Sequence, residues 1–195
     1  MKALQVFGLF LFLGFFIFTH PSLAASETFN IDPVHSSILF RVKHLNVSYF
    51  FGRFNEMAGV FTFDSENPTA SLLRLEVNTE SIDTNNKNRD NHLKGPDFFS
   101  AKQFPTMTFK STTVEKTDTL NQYKVTGELT LHGVSKEVTV DIEHTGSGKA
   151  NEKFGYRSGF LSTFTIKRSD FGMNYMEGLL GEEIQITVSL EGTLK

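Results

Sequence analysis

The chain has 195 residues, a formal charge of −3, 21 phenylalanines, no tryptophan and no cysteine. Its length gives one domain of ordinary size, large enough for a real interior. The lack of cysteine excludes disulfides, thiolate chemistry and a cysteine-linked lipid anchor, and a mildly acidic balance without a basic cluster gives nothing that suggests nucleic acid as a partner.

Met1-Lys2 supplies a positive start, Val6 to Phe18 is an unbroken run of apolar residues and glycines, and Pro21-Ser22-Leu23-Ala24 offers small residues where a signal peptidase reads. This is the three-part pattern of a secretory signal peptide, with cleavage predicted after Ala24 and Ala25 as second choice. As a membrane span the run is short of about 20 residues, and its far flank is not basic, so no stable membrane anchor is expected. The mature domain is then 25–195, with 15 of the phenylalanines and a formal charge of −4. An exported, cysteine-free, mildly acidic domain fits the periplasm.

From Ser37 to Leu45 the apolar residues Ile38, Phe40 and Val42 alternate with polar ones, and His44 falls on the same face. Period two makes this a strand. Asn46 to Asn55 reads as irregular and aromatic. Gly59–Asp64 is a strand with Phe61 and Phe63 on one side, and Leu72–Asn78 is another with Leu73, Leu75 and Val77 inward. Alternation then stops over Ser81–Pro105. Asn88 to Leu93 suits a short helix ended by Gly95-Pro96, and Phe98, Phe99 and Phe104 are apolar anchors for a connection of functional length.

Thr106–Val114 is a strand with Met107 and Phe109 on one face. Leu120–Thr145 is a complete hairpin: Tyr123, Val125, Gly127, Leu129 and Leu131 share a face of the first arm, and Val138, Val140 and Ile142 a face of the second. His132-Gly133-Val134-Ser135 forms its loop, with Gly133 free to take positive φ. Gly146-Ser147-Gly148 reads as a flexible turn. Lys153–Ile166 places Phe154, Tyr156, Ser158, Phe160, Ser162, Phe164 and Ile166 on one face. A Gly- and Met-rich loop, Ser169–Gly181, leads to Glu183–Thr193, with Ile184, Ile186, Val188 and Leu190 together.

Eight strands, each with one apolar and one polar face and no long amphipathic helix to cover a flat sheet, leave a sandwich or a closed barrel. Closure removes edge strands, so the expected fold is all-β: an eight-stranded antiparallel β-barrel with a short helical excursion between strands. A barrel of eight is about wide enough to be filled by side chains or to hold one small ligand. Small inward residues (Gly127, Ser158, Ser162) and the phenylalanine excess favour a lined cavity. Its wall candidates are Phe40, Val42, Phe61, Phe63, Met107, Phe109, Phe160, Phe164, Ile184 and Ile186. Each of these alone reads as plain core; the set argues for a container.

Candidates for a polar or adaptable mouth are His44, Arg89, His92, Phe171 and Met173. On a helical turn Arg89 and His92 share a face and together suit a phosphate or carboxylate head group. The competing reading has Arg89 and Asp90 pinning the long connection to the barrel. As an enzyme, the chain would use His92 with Asp90 as base and orienter and Arg89 beside them, acting on a small amphiphile at the cavity mouth. No G-x-S-x-G, P-loop or paired-carboxylate pattern supports catalysis, and no His-x-His or His-x-x-x-His spacing supports a metal site. No cofactor is expected.

Several stretches, in this order and spacing, carry a family resemblance: Asp32-Pro33-Val34-His35-Ser36, Phe40-Arg41-Val42-Lys43-His44, Ser81-Ile82-Asp83-Thr84, Arg89-Asp90-Asn91-His92-Leu93-Lys94, Asp97-Phe98-Phe99, Gly127-Glu128-Leu129-Thr130-Leu131-His132-Gly133-Val134-Ser135-Lys136 and Asp170-Phe171-Gly172-Met173. From about Phe29 to Leu190 the chain resembles the YceI-like family of bacterial periplasmic proteins, with Ser135 where threonine is frequent. The resemblance implies a lipocalin-like barrel with an elongated apolar cavity, and a polyisoprenoid or similar long-chain lipid as ligand. It implies a binding protein with no settled catalytic mechanism. Homodimers, stress-linked induction and isoprenoid-quinone transport are associated with members.

Overall fold

The computed structural model describes residues 27–149 and 151–195. The expected signal peptide and its cleavage site lie outside the described residues. Eleven strand segments and one helix follow in order: β1 (Glu27–Ile31), β2 (Ser37–His44), β3 (Ser48–Phe54), β4 (Met57–Phe63), β5 (Leu72–Asn78), β6 (Ile82–Asp83), α1 (Lys87–Leu93), β7 (Thr106–Lys116), β8 (Gln122–Leu131), β9 (Val134–Lys149), β10 (Tyr156–Lys167) and β11 (Leu180–Leu194).

The pairings reduce eleven segments to eight barrel strands. β1 and β2 both pair with β11, and they pair with β4 and β3 respectively, so β1–β2 and β3–β4 are each one interrupted strand. β5 pairs with β4 and β6 with β3, which makes β5–β6 the third. From there each strand pairs with its neighbour in sequence, and β11 closes on β1 and β2. All pairings are antiparallel, as an up-and-down barrel requires. Where β1–β2 is interrupted, main-chain groups are not orphaned: Asp32 N donates to Glu191 O at 2.8 Å, and Glu191 N donates to Ser36 Oγ at 3.0 Å.

Three local expectations need correction. Ser48–Phe54 is a strand, not irregular chain: Phe50, Gly52 and Phe54 face in while Tyr49, Phe51 and Arg53 face out, so aromatic residues on both faces hide the alternation. Gly146-Ser147-Gly148 is not a turn but the end of β9, still paired with β10. The β8–β9 loop has two residues, His132 and Gly133, both with positive φ (53° and 74°), and Leu131 already pairs with Val134. Both positive angles match the twist of a two-residue hairpin.

The barrel has two ends. At one lie the start of β1, the end of β11 and the turns 64–71, 117–121 and 151–155. At the other lie the turns 45–47 and 132–133, the connection 84–105 with α1, and the segment 168–179. Outward positions carry residues such as Lys124, Glu128, Asp141 and Thr163, and inward ones are mostly apolar. A membrane-spanning barrel has the reverse polarity, an apolar exterior around a polar lumen. Among the described residues no helix is long and apolar enough to cross a membrane.

Candidate functional site: a cavity inside the barrel

Inward rows from nearly all strands surround a cavity of about 150 Å³. Its lining is apolar apart from Thr108 and Ser162, and Ser162 Oγ turns to donate to Asp141 O at 2.7 Å. A second chamber of about 50 Å³ lies towards the end with the chain termini and shares Leu73, Ile142, Phe160 and Leu190 with the first. These four side chains stand between the two, and Phe160 is the largest of the partition.

Exposure differs along the inward rows. Phe29 and Val42 are packed tight, at 1% and 2% exposure, whereas the inward Met107, Phe109, Phe160, Phe164, Ile184 and Ile186 remain only half-buried. An inward residue still reached by water lines a space and does not fill one.

Of the ten wall candidates, seven line the larger cavity: Phe40, Met107, Phe109, Phe160, Phe164, Ile184 and Ile186. Phe61 and Phe63 line the smaller chamber, and Val42 packs outside both linings. Ile38, Leu75, Leu129, Val138 and Val188 also line the larger cavity; the same alternation marks them. Gly127 does not leave room for a ligand. A Cβ there would meet the Phe109 ring and Lys110 O, so the glycine seats that ring. Ser158 does not face the cavity either.

The end with the chain termini is closed by strand side chains. Phe29 stacks on Phe61 at 4.9 Å between centroids, and Phe63 meets Tyr123 edge-on at 5.5 Å and Phe160 at 5.0 Å. His144, which sequence reasoning missed, points inward between Phe63 (4.6 Å) and Phe160 (5.0 Å). Its Nε2 lies 2.8 Å from Ser147 Oγ and 3.2 Å from Ser158 Oγ, and Ser147 Oγ donates to Ser158 Oγ at 2.7 Å. Burial holds the His144 imidazole below its ordinary pKa and keeps it neutral. Its parity with Val140 and Ile142 was the available signal.

The opposite end is closed by chain outside the barrel strands. Arg89 and Asp90 pin it: Arg89 Nε donates to Thr84 Oγ1 at 2.7 Å and Nη2 to Thr84 O at 2.6 Å, while Asp90 Oδ1 accepts from Thr84 N at 2.8 Å and from the Thr84 hydroxyl. The Arg89 guanidinium also lies over the Phe50 ring at 4.8 Å. His92 turns away to Asp97 Oδ2 at 2.8 Å and contacts Phe98 and Tyr175 edge-on. Arg89, Asp90 and His92 thus do not converge on one point, and none lines either chamber. His44 is exposed at the β2–β3 turn, edge-on to Phe50. Phe171 is 1% exposed and packs with Leu131, Ile166 and Met173, and Met173 reaches the cavity lining.

A further residue went unrecognised in the sequence. Arg168, 2% exposed, donates to four carbonyls of the following segment: Met173 O at 2.6 Å, Tyr175 O at 2.8 Å, Gly181 O at 3.1 Å and Leu180 O at 3.3 Å. Glu182, held below its ordinary pKa by its bonds from Ser169, stands 4.0 Å from Arg168 Nε.

Two polar features lie outside the barrel interior. Asp32, His35 and Glu191 bring ligand-type atoms within 4.8 Å of one another. The Arg157 guanidinium already occupies that cluster, 2.7 Å from Asp32 and bonded to Glu191, and holds the Asp32 carboxyl far below its ordinary value. An outer groove of about 410 Å³ runs over outward residues including Arg41, Tyr49, Lys167 and Gln185; its mixed polar lining has none of the character of the interior.

Known proteins match this geometry. The YceI-like domain matches residues 29–192. A "UPF0312 protein" of Yersinia pestis (strain Pestoides F) is 42% identical over 183 residues, 92% of this chain and 93% of that protein. Among solved structures, Burkholderia cenocepacia BcnA superposes with a TM-score of 0.75 at 27% identity, covering 84% of this chain and 99% of that one. A polyisoprenoid-binding domain from Saccharophagus degradans shares the fold at 13% identity, with a TM-score of 0.64, covering 86% and 98% of the two chains. With an eight-stranded closed barrel, a greasy interior and a family match across nearly all described residues, the chain belongs to the YceI-like family.

Proposed function

We propose that this protein holds the apolar chain of a long amphiphile, a polyisoprenoid or a similar lipid, inside the barrel and shields it from water in the periplasm after its signal peptide is removed behind Ala24. It acts as carrier, buffer or scavenger, by binding and not by catalysis. The observation that carries this reading is the ring of inward yet half-accessible side chains around an apolar cavity. Each methylene buried there contributes about 0.8 kcal/mol, so a chain needs no special residue to bind tightly. The Saccharophagus domain, alike in fold, supplies prenyl chains as the first class to try.

The two chambers meet at Phe160, so a chain that runs from one into the other has to turn that ring aside. The flexible Met107 and Met173 can follow the ligand's shape. Native mass spectrometry of protein purified through its export route, followed by solvent extraction, tests the reading. A stoichiometric extra mass matching a prenyl or acyl chain is expected; a persistently bare protein that also refuses added prenyl and acyl chains would overturn it.

A further inference from the structure

The barrel seam between β9 and β10 is only half laddered. Their pairing runs from Tyr156–Lys149 to Ser162–Ile142 and stops there. β9 stays paired with β8 down to Val134, and β10 with β11 down to Lys167. Over residues 134–141 and 163–167 the two strands thus face each other without main-chain pairing. The ladder ends where Ser162 Oγ takes Asp141 O in place of a backbone donor. Other interruptions are bridged: Thr79 N and Oγ1 donate to Pro105 O and Phe104 O beside β7, each at 2.9 Å. At the slot's lower margin His132 Nδ1 lies 3.0 Å from Phe171 O, tying the β8–β9 turn to the segment after β10.

Both edges of this slot lead into the cavity. Val138 and Val140 of β9, and Phe164 and Ile166 of β10, belong to its lining, and Val138 and Phe164 are only half-buried. Resting on the container reading above, we propose that the ligand chain enters and leaves sideways through the slot between β9 and β10, with Val138 and Phe164 as its two sides. The alternatives require more disruption. Entry at the end with the chain termini must part the aromatic plug around His144. Entry at the other end must release the segment that Arg168 holds by four hydrogen bonds. Opening a laddered seam would break main-chain bonds that the slot does not have.

The chain's lack of cysteine permits a direct test. Thr139→Cys with Thr165→Cys places thiols on exposed outward positions at the two edges, and a short, reducible bis-maleimide bridges them. Thr163→Cys with Thr187→Cys, bridged by the same reagent, is the control across the laddered β10–β11 seam, where the two threonine hydroxyls lie 3.0 Å apart. Uptake of cis-parinaric acid is followed by its fluorescence. Bridging the slot should slow uptake and release by about tenfold or more, because the gating motion is then tethered, with final occupancy unchanged. Reduction should restore the parent rate, and the control bridge should have no effect. Uptake at the parent rate with the slot bridged would overturn the slot and leave the container intact. A parent protein that takes up neither this probe nor a prenyl chain would overturn both.

Discussion

The two ends of the barrel are closed by different means. At the end with the chain termini, the strands' own side chains meet across the lumen: Phe61, Phe63, Tyr123 and Phe160, with His144 on two serines among them. At the opposite end added chain lies over the opening, held by polar side chains that bind main-chain groups, Arg89 and Asp90 on Thr84 and Arg168 on four carbonyls. Side chains of the strands themselves close the first end; at the second, added chain packs its own Leu93, Phe98, Phe171 and Met173 and is fixed by directed hydrogen bonds. The apolar waist between them needs neither and is left as wall.

This difference sets the order of expected effects. Arg168→Met should act most strongly, because it leaves buried carbonyls without a donor. Each buried acceptor left unpaired costs about 1–3 kcal/mol, so with several carbonyls affected a chemical unfolding curve should show a large loss of stability. Phe160→Ala comes next. Half-buried at the partition, it should cost about 2–4 kcal/mol, at or below the usual range for a core phenylalanine. It should also join the two chambers and shift the preferred ligand to longer chains, which competition among fatty acids of graded length would reveal.

His144 sharpens the comparison through pH. Its folded pKa lies below the ordinary 6.5 because burial penalises the charged ring. The unfolded chain takes up this proton near 6.5 while the folded protein takes it up only at lower pH, so stability is full above about 6.5 and falls as pH drops below it. For one proton the slope cannot exceed about 1.4 kcal/mol per pH unit. His144→Gln should flatten the dependence of unfolding free energy on pH by comparison with the parent; an unchanged slope would place the imidazole in water. His92→Ala should matter least. The ring is half exposed and bonded to Asp97, so stability should change by less than about 0.5 kcal/mol and lipid content should not change. Loss of a turnover activity in this variant would instead favour the enzyme reading.

Alternation made the waist legible in the sequence. Phe160, Phe164 and Ile166 on β10 pair across the seam with Leu190, Ile186 and Ile184 on β11, as their period of two requires. The pattern failed where one face is not simply apolar. Tyr49-Phe50-Phe51 concealed β3, and Ser147 and Gly148 concealed the end of β9, whose inward group is a hydroxyl bonded to Ser158. The two closures were harder to read. Arg89 and His92 do share a helical turn, but Thr84 and Asp97 capture them. Arg168 follows a strand with nothing nearby to mark it, because its partners are carbonyls, which every residue carries. Polar contacts to main chain leave little trace in composition or spacing, whereas burial of side chains writes itself as period.

The central claim is that ligand occupies the apolar waist. A crystal structure of the protein with a fatty acid brominated at its tail tests it most directly, since anomalous scattering locates the bromine without prior assumption. The account predicts a bromine peak inside the barrel among Phe164, Ile184 and Ile186, with Phe160 turned from its present position. A peak confined to the outer groove beside Arg41 and Tyr49, with the interior unchanged, would contradict it.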